Sequence, residues 1–126
     1  MNEHQLYELV AVYMQKHYPD VVYRFDLAAD LKLTIGQASR HKRLHPVRGY
    51  PDLFIAHKSR RKGGLFIEIK KADTRLFKRD GSPASDHIEE QMFMLDRLNK
   101  AGYEAKFACG LEEIKQIIDE YLKNRE

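Results

Sequence analysis

Two strand-length apolar runs, Leu53–Ala56 and Leu65–Ile69, flank a basic stretch that ends Lys62-Gly63-Gly64, and they restrict the fold of this chain more than any other feature. Runs this short and this apolar, joined through a glycine pair, read as a core hairpin with a tight bend at Gly63-Gly64. Asp52 stands at the mouth of the first strand. Glu68 and Lys70 lie two apart on the second, so both side chains leave the same face. Two carboxylates meeting from adjacent strands, with an ammonium beside them, form a cradle for a hard divalent cation such as Mg²⁺ or Mn²⁺. The backbone carbonyl of Ile69, between Glu68 and Lys70, is a further oxygen ligand within reach. The competing structural interpretation is a half-buried Glu68–Lys70 ion pair with Asp52 capping a turn.

The flanking segments supply layers for this hairpin. Asn2 and Gln5 form a capping box for a first helix carrying Leu6, Leu9, Val10 and Tyr13 at helical spacing, and Pro19 ends it. Glu8 belongs to this helix; periodicity alone makes it an ordinary solvated acid. Val21–Phe25 reads as a strand. Asp26–Arg43 has helical spacing at Leu27, Leu31 and Ile35, with Thr34 able to cap a helix through Leu44 and Pro46 closing it. The residues from Ala72 to Ser85 carry Asp-Gly and Ser-Pro and form an exposed loop, long enough to suspect a basic flap. Ser85 or Asp86 caps the next helix, with Glu89 as partner to Asp86 and Ile88, Met92, Leu95 and Leu98 as its buried stripe. Glu104–Ala108 is a strand, and an amphipathic helix follows Gly110.

The resulting order, α-β-α-β-β-α-β-α, predicts a small mixed sheet flanked by helices. A right-handed crossover places the strands Leu65–Ile69 and Glu104–Ala108 parallel and adjacent. At 126 residues the chain is most simply one domain, residues 1–126, and 43% hydrophobic content is enough for a core. A single cysteine, Cys109, argues against disulfide stapling and against a zinc site. The start of the chain has no signal-peptide pattern and no window suits a membrane span, so a cytoplasmic protein is expected.

The net charge of +3 says less than its distribution. Arg40, Lys42, Arg43, Arg48, Arg60, Arg61 and Lys62 lead up to or fill the hairpin, and Asp52 is the sole acid from Lys32 to Lys62. Lys71, Arg75, Lys78 and Arg79 continue the run. A basic stripe around a carboxylate pair suits a polyanionic substrate whose reaction needs a metal. Taken singly, each of these side chains is an ordinary solvated cation, and four of the six histidines, His41, His45, His57 and His87, are surface or cap residues before they are phosphate contacts.

Pro51-Asp52 followed by Glu68-Ile69-Lys70 resembles the core motif of the PD-(D/E)xK nucleases. The wider text is similar to their VRR-NUC branch, particularly the small stand-alone phage and bacterial members with Holliday-junction-resolvase-like activity. It comprises Gly49–Leu53, Gly64–Lys70, Glu90-Gln91, Leu95, Leu98, Gly102-Tyr103 and the last helix. The resemblance implies a restriction-endonuclease-like core, metal binding by Asp52 and Glu68, and water activation assisted by Lys70. It also implies a metal-site role for a first-helix glutamate, here Glu8, and a supporting role for Gln91. It further implies a Mg²⁺- or Mn²⁺-dependent endonuclease leaving 5′-phosphate and 3′-hydroxyl ends, acting on branched DNA. A four-way junction cut symmetrically needs two active sites, hence a homodimer. The alternative function is a non-catalytic nucleic-acid-binding module; a plain protein-interaction domain is the third. The chain departs from its relatives between Phe25 and Val47, where a basic helical stretch replaces Asn and Gly residues, and in the length of the 72–85 loop.

Overall fold

The computed structural model describes residues 1–26 and 32–123. Its elements are α1 (Glu3–His17), β1 (Tyr23–Phe25), α2 (Ile35–Leu44), β2 (Leu53–Ile55), β3 (Leu65–Lys70), α3 (Asp86–Lys100), β4 (Glu104–Cys109) and α4 (Leu111–Lys123). They form one sheet in the order β1-β2-β3-β4. The β1–β2 and β2–β3 pairs are antiparallel and β3–β4 is parallel, as the crossover through α3 requires. This is the mixed α/β arrangement expected from the element order.

Strand alternation sorts the core into two layers. Leu53, Ile55, Leu65, Ile67 and Ile69 pack with Leu6, Val10 and Met14 of α1 and Ile114, Ile118 and Leu122 of α4. Phe66 and Ala105 instead meet Leu95 of α3, with Phe54, Leu98, Tyr103 and Phe107 around them. Every residue of β3 is buried, so Glu68 and Lys70 are ionisable side chains inside a sheet covered on both faces.

Several local details differ from the sequence expectations. The α1 stripe is Leu6, Tyr7, Val10 and Met14, while Leu9 is exposed. The cap of α3 is Ser85, whose hydroxyl accepts from the Ile88 N–H, and Gln91 and Met94 rather than Met92 and Leu98 complete its buried face. The tight turn of the hairpin is not at the glycine pair. Ser59 and Lys62 exchange backbone hydrogen bonds of 3.1 and 2.9 Å around Arg60-Arg61. Gly64 serves a different purpose: a Cβ there would lie 2.6 Å from the Phe54 ring. The helix that Thr34 can cap is present as α2, with Gln37 completing the capping box, and it starts only at Ile35; Leu27 and Leu31 lie outside the described residues. The 72–85 loop is folded on itself rather than a loose flap. Phe77 bridges Pro83, Lys78 N–H donates to Ser82, and Ala84 N–H donates to Leu76. Among the described residues, no helix is long and apolar enough to cross a membrane.

Candidate active site

The β2–β3 register pairs Leu53 with Ile67, so one step beyond the ladder Asp52 stands opposite Glu68. Asp52, Glu68, Lys70 and Gln91 are four of the five buried polar side chains among the described residues, at 8%, 3%, 7% and 5% exposure. The fifth, Ser59, is accounted for by donating its hydroxyl to the Tyr121 carbonyl at 2.7 Å.

Asp52 is held from two sides. Its Oδ2 accepts the Ile69 N–H at 2.8 Å and its Oδ1 accepts the Tyr7 hydroxyl at 2.5 Å. Ile69 uses that N–H on the β2 side of its strand, and a strand residue turns its carbonyl to the same side as its N–H. The register places Pro51 opposite Ile69. Proline has no N–H to return, so the ladder offers the Ile69 carbonyl no donor from that residue.

Glu68 is less well provided for. Its Oε1 is buried with no hydrogen-bond partner. Burial, then the side chain and charge of Asp52, then the charge of Glu3, push its carboxyl well above the usual carboxylate range; Lys70 pulls it back only in part. Among the described residues no ion pair joins Glu68 to Lys70, which removes the main support for the structural interpretation of these residues. Two carboxylates close enough to share a proton, one with an orphaned oxygen, have the donor chemistry that a hard divalent cation requires.

Gln91 is buried on α3, and its Oε1 likewise has no hydrogen-bond partner. Gly49 makes this possible. It adopts φ +81° and lies so close to α3 that a Cβ would sit 2.9 Å from the Glu90 carbonyl oxygen. The loop leading to Asp52 can therefore lie flat on the helix beside Gln91.

Glu8 does not join this group. Its side chain is 72% exposed and pairs loosely with His4 at 4.0 Å. The reason is helical phase: Tyr7, which touches Asp52, is the neighbouring residue, and adjacent helix positions diverge by about 100°. Glu3, one turn before Tyr7, shares its face and is the α1 acid whose charge reaches Glu68. Sequence reasoning passed over it; the i, i+4 relation to Tyr7 is the signal that marks it. Among the described residues, no three His, Cys, Asp or Glu side chains gather into a closed metal-holding cluster, so the centre is a carboxylate pair with weaker contributors around it.

The basic residues divide by position. Arg60, Arg61 and Lys62 occupy the turn at the opposite end of the β2–β3 hairpin from Asp52 and Glu68, so they do not converge on the site. Lys71 leaves the end of β3 next to Lys70. Arg75, Lys78 and Arg79 sit on the folded 72–85 arm, lining a shallow cleft of about 360 Å³ with Phe77. Arg48 lies on the Gly49 loop, 4.0 Å from Glu90. Arg40, Lys42 and Arg43 belong to α2, and Arg40 lines a larger cleft beside Pro51.

A solved structure titled "VRR_NUC domain protein" superposes on all of this chain and on 92% of its own length, with a TM-score of 0.68 and 26% sequence identity. No family model and no curated protein matches the chain.

Proposed function

Because the chain belongs to the VRR-NUC domain family of the PD-(D/E)xK superfamily, we propose that it is a Mg²⁺- or Mn²⁺-dependent endonuclease that hydrolyses phosphodiester bonds in branched DNA. The observation that carries this reading is the buried convergence of Asp52 and Glu68, with the Glu68 Oε1 left unpartnered. Asp52, Glu68 and the Ile69 carbonyl would hold the cation. Glu3 replaces Glu8 as the α1 contributor. A bound divalent cation would neutralise charge on the scissile phosphate and make water a better nucleophile.

The chain's own residues supply the rest. Tyr7 and the Ile69 N–H fix the Asp52 carboxylate, so its direction is set before substrate arrives. Lys70, buried beside Glu68, can donate to the attacking water or to the developing negative charge. Gln91 offers an amide from α3 to the same centre. Lys71 and the cations of the 72–85 arm and of α2 give the phosphate backbone its sequence-independent contacts. A homodimer would present two such centres to a four-way junction.

The competing reading, a binding module without catalysis, draws on there being, among the described residues, no closed cluster of three metal-holding side chains. The two separate cleanly. Labelled duplex, flap and four-way DNA should be cut with Mg²⁺ or Mn²⁺, spared with EDTA, and spared by Asp52→Ala. Cutting that persists in both EDTA and Asp52→Ala would overturn the mechanism, and salt-sensitive binding without any cutting would establish the module.

A further inference from the structure

The chemistry at Asp52 leaves unexplained a wide cleft that begins one residue before it. Its volume is about 900 Å³, and its walls are β1, the Pro51 turn and α2. Arg24, Arg40, His41, His45 and Tyr50 face it, and Asp26 is its one acid among the described residues. From this lining we infer that the cleft is a subsite for one or two unpaired nucleotides of the DNA strand leading to the Asp52–Glu68 centre, an assignment that rests on the nuclease reading.

Four observations point this way. First, size: the volume is near the upper end for small-ligand sites, room for a nucleotide or two and far too little for a duplex. Second, a stacking platform: the Tyr50 ring is half exposed and is braced edge-on by Phe66 at 5.7 Å, which in turn stacks on Phe54 at 4.3 Å. A braced aromatic beside cations is how proteins take single-stranded bases without reading their sequence. Third, charge: α2 carries Arg40, Lys42 and Arg43 with no acid, and its His41 and His45 rings stack at 4.5 Å one turn apart. Fourth, α2 buries none of its own residues. A helix of ten residues is marginal alone, so a bound polyanion would complete its packing. The site's position gives it a purpose. An unpaired segment held beside Pro51 would favour DNA with a branch, gap or flap at the scissile phosphate over continuous duplex.

The test uses Lys70→Met protein with Mg²⁺, so that DNA is bound and not consumed. The probes are a labelled hexathymidine and a gapped duplex with 2-aminopurine at its unpaired position. Stacking on Tyr50 should quench the 2-aminopurine. Adding Tyr50→Leu should remove the quench and weaken hexathymidine about tenfold, whereas Tyr50→Phe should keep both because stacking needs the ring and not the hydroxyl. Arg40→Gln should lower the salt slope by about one. Unquenched 2-aminopurine in the parent, or hexathymidine binding that Tyr50→Leu leaves intact, would overturn the subsite. Quenching in a protein that cuts no DNA with Lys70 restored would keep the subsite and sink the nuclease reading.

Discussion

Two carboxylate centres link α1 to the rest of the molecule, and their chemistry is opposite. On the α4 side, Asp119 accepts from the Tyr13 hydroxyl at 2.7 Å and the Tyr18 hydroxyl at 2.6 Å, with Lys123 at 3.8 Å. Burial works to raise its carboxyl, but the hydroxyls of Tyr18 and Tyr13 and the charges of Lys123 and His17 outweigh it and hold it below the usual range. On the β3 side, Glu68 has burial and Asp52 both raising it and keeps an oxygen with no partner. Asp119 is complete as it stands; the Asp52–Glu68 pair keeps an acceptor unused, as the proposed cation site would require. A half-buried acid that serves stability brings its own donors, whereas a buried one suited to a cation withholds them.

The largest effect should fall on activity. Glu68→Gln keeps the shape but removes the charge, and should lower cleavage by at least about 10²-fold; Asp119→Asn should leave cleavage per folded molecule unchanged. Comparable losses in both variants would erase the distinction. Stability should then divide them with opposite signs. Glu68 has its carboxyl raised in the folded state, so the metal-free protein binds more protons folded than unfolded. Stability is therefore full below the ordinary glutamate range and is lost as pH rises from there to the raised value of the folded state, by up to about 1.4 kcal/mol per pH unit. Asp119 is lowered, so its contribution is present above the ordinary aspartate range and is lost as pH falls. Melting curves without metal should show Glu68→Gln flattening the loss at high pH and Asp119→Asn flattening the loss at low pH. Asp119→Asn should also cost about 1–3 kcal/mol at neutral pH. Mn²⁺ should raise the melting temperature of the unsubstituted protein, more at higher pH because it displaces the shared proton, and leave Glu68→Gln unmoved.

Much of this centre was legible from spacing. Period-two alternation put Glu68 and Lys70 on one face, and the hairpin put Asp52 across from them, because β3 is uniformly buried and its register has no freedom to slip. Helix phase was harder to read. In α1 the apolar positions Leu9 and Val12 are exposed in the fold, so hydrophobicity alone does not say which face turns inward, and Glu8, singled out by the family resemblance, lies off the face that Glu3 shares with Tyr7. In α3, by contrast, Ile88, Gln91 and Leu95 fall on a single i, i+3, i+7 line, so the inward placement of Gln91 could have been foreseen. The turn cations could not. A run of Arg60, Arg61 and Lys62 looks contiguous with the site in sequence, but strand direction carries it to the far end of the sheet.

The α1 assignment yields the next effect in size. Glu3→Gln should weaken Mn²⁺ binding about tenfold, the cost typical of removing a group just outside the direct ligands, while Glu8→Gln should do nothing. Isothermal titration of each variant decides the matter, and equal affinities would return α1 to a purely structural role.

The smallest effect belongs to the hydrogen bond by which Tyr7 of α1 holds Asp52 itself. Tyr7 stacks on Phe25 with ring centroids 5.1 Å apart, so Tyr7→Phe deletes the hydroxyl while keeping the ring packed. The Asp52 Oδ1 then loses its donor but not its place, since the Ile69 N–H still holds Oδ2. One hydrogen bond contributes about 0.5–1.5 kcal/mol, so Mn²⁺ affinity should fall roughly three- to tenfold. The matching change on the complete centre, Tyr18→Phe, removes a donor from Asp119 and should lower stability with no change in Mn²⁺ affinity. If Tyr7→Phe instead shifts only the melting temperature, its hydroxyl is a packing contact like that of Tyr18, and Asp52 is aimed by the β3 backbone alone.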